Sequence, residues 1–145
     1  MKNDLLFGIT ESGVIHTDQD PPVPLETKFK MVKDSGVYDY FDKTPPKELE
    51  EDYLRYSEKY DLPILAGGWY YVLGRDEGLL MENLRLGGRL GSLVHNTQII
   101  MDHADGSLVS DEQVSETYLK AYEIGEETGC HPTFAVHVNM WSEDF

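Results

Sequence analysis

Hydrophobic and polar positions along this chain follow two periods that alternate from one segment to the next. Short apolar runs at residues 5–10, 37–41, 62–66 and 93–101 have the length of strands. Each run is followed by a longer stretch in which apolar residues recur every three to four positions, which is typical of a helix. Strands that alternate with helices pair in parallel, because each helix returns the chain to the same end of the sheet. The pattern therefore predicts an α/β fold.

Four helices are predicted, at residues 24–35, 44–60, 76–90 and 110–129. Pro24 suits a first helical turn, and Gly36 suits a helix end. Ser110 and Gln113 have the spacing of a capping box, in which each side chain bonds the backbone of the other residue. These signals place a helix after each of the first four strands.

The last residues predict a fifth strand and the beginning of another helix. Apolar residues from 134 to 140 alternate with a second face that includes His137 and Asn139. Ser142, followed by Glu143, has the pattern of a helix N-terminus. We therefore interpret residues 1–145 as a single α/β domain and as the N-terminal part of a longer protein.

Two architectures fit this order of elements. One is a (β/α)8 TIM-type barrel, of which the first five strands and four helices would be present. The other is a five-stranded, doubly wound, flavodoxin-like sheet. A strand covered by helices on both faces should be almost continuously apolar, whereas a barrel strand can point His137 and Asn139 inward. The fifth strand therefore favours the partial barrel.

Composition narrows the range of partners. The chain has 27 acidic and 12 basic residues, a formal charge of -15, which argues against nucleic acid and anionic membranes as partners. Neither a signal peptide nor a membrane span is recognisable, and the single cysteine, Cys130, fits a reducing compartment. These features predict a cytoplasmic protein.

Several polar residues fall on predicted strands or in the loops after them, and parallel α/β proteins place their active sites at the carboxyl ends of the strands. They are Glu11, His16, His95, Asn96, His103, His137, Asn139 and Glu143. Together with the loop acids Asp18, Asp20, Asp102 and Asp105, they make a His/Asp/Glu set that suits a hard or borderline divalent cation. His137 is the best candidate ligand, because both its face and its height on the predicted strand place it at the barrel mouth.

Aromatic residues and missing motifs complete the list of signals. Trp69 and Tyr70 have the character of a stacking wall for a sugar, although packing explains them equally well. The chain has no Gly-x-Gly-x-x-Gly after its first strand, no P-loop, no Cys-x-x-Cys and no Gly-x-Ser-x-Gly. Nucleotide, thiol and serine-hydrolase chemistry are therefore disfavoured.

Five segments at or near strand ends carry a family resemblance. They are Gly8–Glu11, Lys43–Pro46, Ala66–Trp69, His95–Gln98 and His137–Glu143. Together they resemble the N-terminal half of the xylose isomerase-like barrel superfamily, the sugar isomerases and epimerases. The resemblance implies a divalent metal (Mn, Mg, Co or Zn) at the barrel mouth, with remaining ligands expected beyond Phe145. It also implies isomerisation or epimerisation of a sugar, sugar phosphate or polyol, with the metal acting as a Lewis acid.

The resemblance and the strand pattern together assign roles to individual residues. The family usually has a glutamate near the end of the fifth strand, where this chain has Ala135, His137 and Asn139. We assign His137 as the substitute metal ligand, with Glu143 and His103 as further ligands. The predicted substrate contacts are Glu11, His16, Trp69, Tyr70, His95, Asn96 and Asn139.

Other functions remain open on the sequence alone. One is a flavodoxin-like electron-transfer or signalling domain, and another is a non-catalytic subunit that completes the barrel of a partner. An incomplete barrel has open edges, so we expect self-association or a complementary barrel half as a partner.

Overall fold

The protein is represented by a computed structural model that describes residues 5–14 and 22–144. Its described residues contain one sheet of five parallel strands. The strands are β1 (Gly8–Thr10), β2 (Tyr40–Asp42), β3 (Ile64–Tyr71), β4 (Val94–Ile99) and β5 (His131–Thr133). The longest pairing is between β3 and β4, which run side by side from Ala66 opposite Val94 to Tyr71 opposite Ile99. These two strands form the central platform of the sheet.

Four α-helices alternate with the strands in the described part of the chain. They are α1 (Leu25–Ser35), α2 (Glu50–Tyr60), α3 (Glu77–Leu90) and α4 (Asp111–Thr128), with short 3-10 turns at Glu11–Gly13, Lys47–Leu49 and Trp141–Asp144. The predicted capping box of α4 is confirmed, because Ser110 and Gln113 each accept a hydrogen bond from the backbone N–H of the other. Within residues 5–14 and 22–144, no helix combines the length and apolar character needed to span a bilayer.

The strands lie in the sheet in the same order as in the chain, β1-β2-β3-β4-β5. A flavodoxin-like sheet has the order 2-1-3-4-5, because its second strand lies on one side of the first and its third strand lies on the other side. In a (β/α)8 barrel, by contrast, consecutive strands are neighbours. The predicted α/β fold is confirmed, the flavodoxin-like alternative is wrong, and the sheet has the strand order that an arc of a barrel requires.

Two apolar clusters attach the helices to the sheet. In the first, Phe29 of α1 stacks on Phe41 of β2 with ring centroids 4.8 Å apart, and Tyr53 of α2 packs edge-on against Phe29. In the second, Tyr71 of β3 lies with Leu84 of α3 and residues of α4. The five named side chains are at most 1% exposed, so helix packing fixes the positions of β2 and β3.

The predicted fifth strand is largely wrong. Strand β5 ends at Thr133, and no β-ladder forms from residue 134 to 139. The alternating apolar pattern there has no neighbouring strand to bond, and Val136 and Val138 are exposed. Asn139 adopts a positive φ of 61°, which a strand does not accommodate. His137 and Asn139 therefore do not share the inner face of a strand.

The predicted role of Ser142 as a helix N-cap is also corrected. The last described residues form a 3-10 turn, Trp141–Asp144, which already includes Ser142. The Ser142 hydroxyl donates a hydrogen bond to the Ala135 carbonyl at 2.8 Å, instead of accepting a bond from a helix N-terminus. Ser142 is buried by this contact, which ties the last turn back to the irregular segment before it.

Candidate functional site

A cleft of about 300 Å³ lies at the carboxyl ends of β1, β2, β3 and β4. This is the end of a parallel sheet at which ligands bind in α/β proteins. Residues from each strand or the segment after it line the cleft. They are Thr10, Glu11, Ser12, Asp42, Lys43, Thr44, Gly67, Gly68, Trp69, Tyr70, Asn96 and Gln98.

Glu11 is the centre of a charged cluster at one wall of the cleft. It accepts bonds from Lys28 at 2.5 Å and from the Tyr53 hydroxyl at 3.2 Å, and it pairs with Lys43 at 3.1 Å. Burial acts to raise the pKa of Glu11, but the hydrogen bonds and charges of the two lysines outweigh it and lower the pKa below its usual value. The ionised carboxylate thus holds both ammonium groups, and the cluster keeps one net positive charge.

Asp42 and Lys43 follow one another at the end of β2, with opposite charges. Burial raises the pKa of the Asp42 carboxyl, and the Lys43 charge offsets this only in part. Lys43 Nζ also lies 5.7 Å from the centre of the Trp69 ring, within the range of a cation–π contact. The cleft therefore contains a positioned cation next to a carboxyl group with an altered proton affinity.

Two carboxamides of β4 have buried oxygens in the cleft. Within the described part of the chain, Asn96 Oδ1 and Gln98 Oε1 have no hydrogen-bond partner. A side chain at Gly68 of β3 would lie 2.9 Å from Asn96 Cβ and 2.8 Å from its backbone oxygen, so only glycine permits this close approach. Because an unpaired buried acceptor costs about 1–3 kcal/mol, both oxygens are suited to receive donors from a ligand.

His95 lies beside the cleft but does not line it. It is 1% exposed, and its two ring nitrogens contact the Tyr71 hydroxyl at 2.6 Å and Thr44 Oγ1 at 3.1 Å. Asn83 Nδ2 donates to the same Tyr71 hydroxyl at 2.8 Å. Burial lowers the pKa of His95 to about 4, so the imidazole is neutral at physiological pH. The predicted substrate contact at this residue is replaced by a contact with Thr44, which does line the cleft.

The structure brings together only part of the predicted substrate set. Glu11, Trp69, Tyr70 and Asn96 line the cleft, whereas Asn139 lies in the segment after β5. His16 lies outside the described residues. Trp69 and Tyr70 are about half exposed, as expected for side chains that border a cleft.

The sequence analysis did not name Asp42, Lys43, Thr44 or Gln98 as site residues, although all four line the cleft. Asp42 and Lys43 come at the end of β2, so the strand-end rule that identified Glu11 also applies to them. Gln98 lies two positions after Asn96 on β4, and residues two apart on a strand share a face.

The three predicted metal ligands lie apart and have other partners. His137 Nδ1 lies 2.9 Å from the carbonyl of its neighbour Val138, and Glu143 accepts a bond from the Asn139 backbone. His103 pairs with Asp105 in the loop after β4. Across residues 5–14 and 22–144, no group of three His, Cys, Asp or Glu side chains is arranged to hold a metal ion.

Comparisons with known proteins identify the fold. No family model matches the chain, and no curated protein matches its sequence. The solved structure of 3-dehydroquinate dehydratase from Geobacillus kaustophilus HTA426 matches with a TM-score of 0.54 and 18% identity, over 88% of this chain and 48% of that chain. Type I 3-dehydroquinate dehydratase from Clostridium difficile, solved with covalently modified comenic acid, matches with a TM-score of 0.54 and 14% identity, over 91% of this chain and 61% of that chain. This chain thus spans about half of the first enzyme and three fifths of the second.

These matches correct the predicted family, function and cofactor. These two solved structures are dehydratases, which overturns the resemblance to xylose isomerase-like proteins and the predicted metal-dependent isomerase or epimerase. The predicted divalent cation is wrong too, because it depended on that resemblance and the described residues contain no cluster of ligands for it. Short segments at strand ends misled the assignment, since glycine and polar residues are common there in many parallel α/β folds. By its fold, the chain is a parallel α/β structure similar to parts of two 3-dehydroquinate dehydratases.

Proposed function

We propose that this chain is part of a lyase of the 3-dehydroquinate dehydratase type, which removes water from a small hydroxylated cyclic ketone. The observation that carries the proposal is the convergence of Asp42, Lys43, Asn96 and Gln98 on one cleft at the carboxyl end of the sheet. The fold shared with two dehydratases supports the reaction class. The identities of 18% and 14% leave the substrate to be argued from the cleft itself.

The polar groups of the cleft suit a hydroxylated ligand. Asn96 Oδ1 and Gln98 Oε1 are buried acceptors, and ligand hydroxyls are the donors that would satisfy them. Lys43 supplies positive charge for an electron-rich oxygen, while its Trp69 neighbour offers a flat apolar surface for the face of a ring. A hydroxylated six-membered ring with a ketone satisfies all three requirements.

The same groups provide the chemistry of a dehydration. A base removes the proton from the carbon between the ketone and the hydroxyl-bearing carbon, and the electron pair moves toward the ketone oxygen. The electrons then return to form a carbon–carbon double bond while the hydroxyl leaves with a proton as water. Asp42 is assigned the proton transfers, because burial raises its pKa toward the range of a general acid and base. Lys43 is assigned to stabilise the negative charge on the ketone oxygen.

A complete (β/α)8 barrel is part of the proposal. The consecutive strand order and the coverage of about half of a solved dehydratase support it. Val136 and Val138 are then covered by further barrel elements, by a complementary barrel half or by a second copy of the chain. A cytoplasmic location, favoured by the lone buried Cys130, also belongs to the proposal.

The test is binding and turnover of 3-dehydroquinate by the complete barrel, which is this chain together with the remaining strand–helix units or with a complementary barrel half. Calorimetry should detect binding, and turnover is followed by the ultraviolet absorbance of the conjugated product. Asp42→Asn should keep binding within a few-fold but lower turnover by about 100-fold or more, as expected for loss of a general base. Lys43→Met should lower both.

Lys59→Met is the matched control. Lys59 of α2 pairs with Glu26 of α1 at the protein surface, and it lies outside the cleft. It should leave binding and turnover unchanged. Wild-type protein that neither binds nor converts 3-dehydroquinate at millimolar concentration would contradict the proposed function.

A further inference from the structure

We propose that a buried series of hydrogen bonds through Asn83, Tyr71 and His95 fixes the Thr44 hydroxyl as a hydrogen-bond donor into the cleft. There the hydroxyl selects a carbonyl or carboxylate oxygen of the ligand. Thr44 is then a specificity-determining contact, and His95 is a positioning residue that acts through it. The identity of the ligand rests on the proposed function, but the direction of the hydrogen bonds does not.

The direction of each hydrogen bond in this series follows from which atoms are able to donate and which are able to accept. Asn83 Nδ2 is a hydrogen-bond donor only, so the Tyr71 oxygen accepts a hydrogen bond from it. The Tyr71 proton then goes to His95 Nε2, 2.6 Å away. If His95 Nε2 carried a proton instead, Tyr71 would accept twice and its own proton would be buried without an acceptor. Nε2 is therefore the acceptor nitrogen of His95.

A neutral imidazole has a single ring proton, so an accepting Nε2 places that proton on Nδ1. Nδ1 then donates to Thr44 Oγ1, 3.1 Å away. The hydroxyl proton of Thr44 is left for another acceptor, and no described residue makes a second hydrogen bond to this hydroxyl. The side chain lies against Gly67, where a Cβ would be 2.1 Å from Oγ1, so glycine keeps the space that the hydroxyl occupies.

The donor at Thr44 complements the two acceptors on β4. Thr44 follows β2, whereas Asn96 and Gln98 belong to β4 on the other side of β3. A ligand that satisfies both sets presents an acceptor oxygen toward β2 and hydroxyl donors toward β4. This fixes the orientation of a hydroxy ketone, with its carbonyl oxygen beside Lys43 and Thr44, the two residues that follow β2.

The first arm of the test measures the His95 tautomer in the ligand-free chain by nitrogen-15 NMR. We expect the shift of a protonated nitrogen at Nδ1 and of an accepting nitrogen at Nε2. Tyr71→Phe removes the donor to Nε2 and should shift the tautomer toward Nε2–H. A wild-type His95 with its proton on Nε2 would reverse both hydrogen bonds of the imidazole, so that Thr44 donates to Nδ1 and not into the cleft, and would overturn the proposal.

The second arm measures the affinity of 3-dehydroquinate for Thr44 variants by calorimetry. Thr44→Val keeps the shape but removes the hydroxyl, and it should weaken binding about tenfold, the value of one hydrogen bond. Thr44→Ser restores the hydroxyl and should bind within about threefold of the wild type. Thr117→Val, which removes a hydroxyl bonded within α4, is the control and should bind like the wild type.

The outcomes separate this proposal from the proposed function. Normal binding by Thr44→Val, in protein with an unchanged melting temperature, would overturn the ligand contact and leave the proposed function standing. If Thr44→Val lowers the melting temperature, the contact is judged from Thr44→Ser. Binding by Thr44→Ser within about threefold of the wild type supports the contact, and weaker binding overturns it. Absence of 3-dehydroquinate binding by the wild type would defeat the proposed function, and the His95 tautomer would then decide the donor assignment.

Discussion

Among single residues, Glu11 connects three other side chains at one wall of the cleft. Its carboxylate binds two lysines and a tyrosine hydroxyl, and about a fifth of the side chain is exposed. Hydrogen bonds to a charged and largely buried group are worth more than those at the surface. The position of Lys43 in the cleft therefore depends on ionised Glu11.

We predict that Glu11→Gln lowers the free energy of unfolding at pH 7 by about 1–2 kcal/mol, because two ammonium groups lose a charged partner. The folded-state pKa of Glu11 is below its usual value, so its contribution is present above the unfolded pKa and is lost as pH falls through the folded value. The difference between wild type and variant should thus shrink below about pH 4, as measured by urea unfolding at several pH values.

The control is Glu26→Gln, which breaks an exposed contact with Lys59 and should cost less. A Glu11→Gln difference that stays constant down to pH 3 would mean that packing, and not charge, explains the loss.

Cys130 is a second residue with a testable property. Its thiol is fully buried, and burial raises its pKa from 9.0 to about 11, which lowers the thiolate fraction at neutral pH about 100-fold. We predict that iodoacetamide labels native protein at least 100-fold more slowly than urea-unfolded protein, as followed by mass spectrometry. Equal labelling rates would show that the α3–α4 contact opens readily.

At the residue scale, four of the predicted substrate contacts, Glu11, Trp69, Tyr70 and Asn96, line one cleft in the structure. Their contact with a substrate stays a prediction. The role of His95 was not predictable, because its partners Tyr71 and Thr44 are distant in sequence and meet only when the sheet forms.

At the scale of elements, α3 approaches α4 through small residues. A Cβ on Gly87 would lie 2.6 Å from Cys130 Sγ, and one on Gly88 would lie 2.7 Å from Thr128 Cβ. Gly78, at the start of the same helix, has no atom within 4 Å of its Cβ position. The three glycines of α3 thus differ in what a methyl group would meet.

We predict opposite effects from two alanine substitutions in α3. Gly87→Ala should destabilise the protein by about 1–3 kcal/mol through overpacking against Cys130. Gly78→Ala should stabilise it by about 0.4–1 kcal/mol, since alanine restricts the unfolded chain and meets no neighbour. Urea unfolding measures both, and destabilisation by Gly78→Ala would show that the helix start is more crowded than the structure has it.

Helices were easier to predict than strands because their signals are local. The Ser110–Gln113 capping box and the end at Gly36 depend only on nearby residues. A strand needs a neighbour, and the alternating residues 134–140 have a strand's pattern without a strand beside them. The alternation of apolar and polar residues therefore predicted a longer fifth strand than the structure contains.

At the scale of the whole molecule, the described sheet has an apolar surface after β5. Phe134, Val136 and Val138 are each at least half exposed, which favours association with another surface. The α/β class and the parallel pairing followed from the order of elements. The family could not be predicted in this way, because different families of parallel α/β proteins share the same alternation of strands and helices.

We predict that the 145-residue chain self-associates in solution and that Val136→Lys combined with Val138→Lys reduces the association. Charged side chains on this surface would have to be desolvated in any contact. Size-exclusion chromatography with light scattering over a range of concentrations measures the effect. A wild-type chain that remains monomeric throughout would indicate that the surface is not an interface.

The consecutive strand order also has a consequence for how the molecule folds. Each strand of the described sheet pairs with the strands next to it in the chain, with one helix between them. Every loop closed in forming the sheet therefore spans one strand–helix unit, and closing it costs less entropy than pairing strands that are further apart in the sequence. Each strand–helix unit has a template in the unit made before it, so the chain is able to add structure from its N-terminus during synthesis.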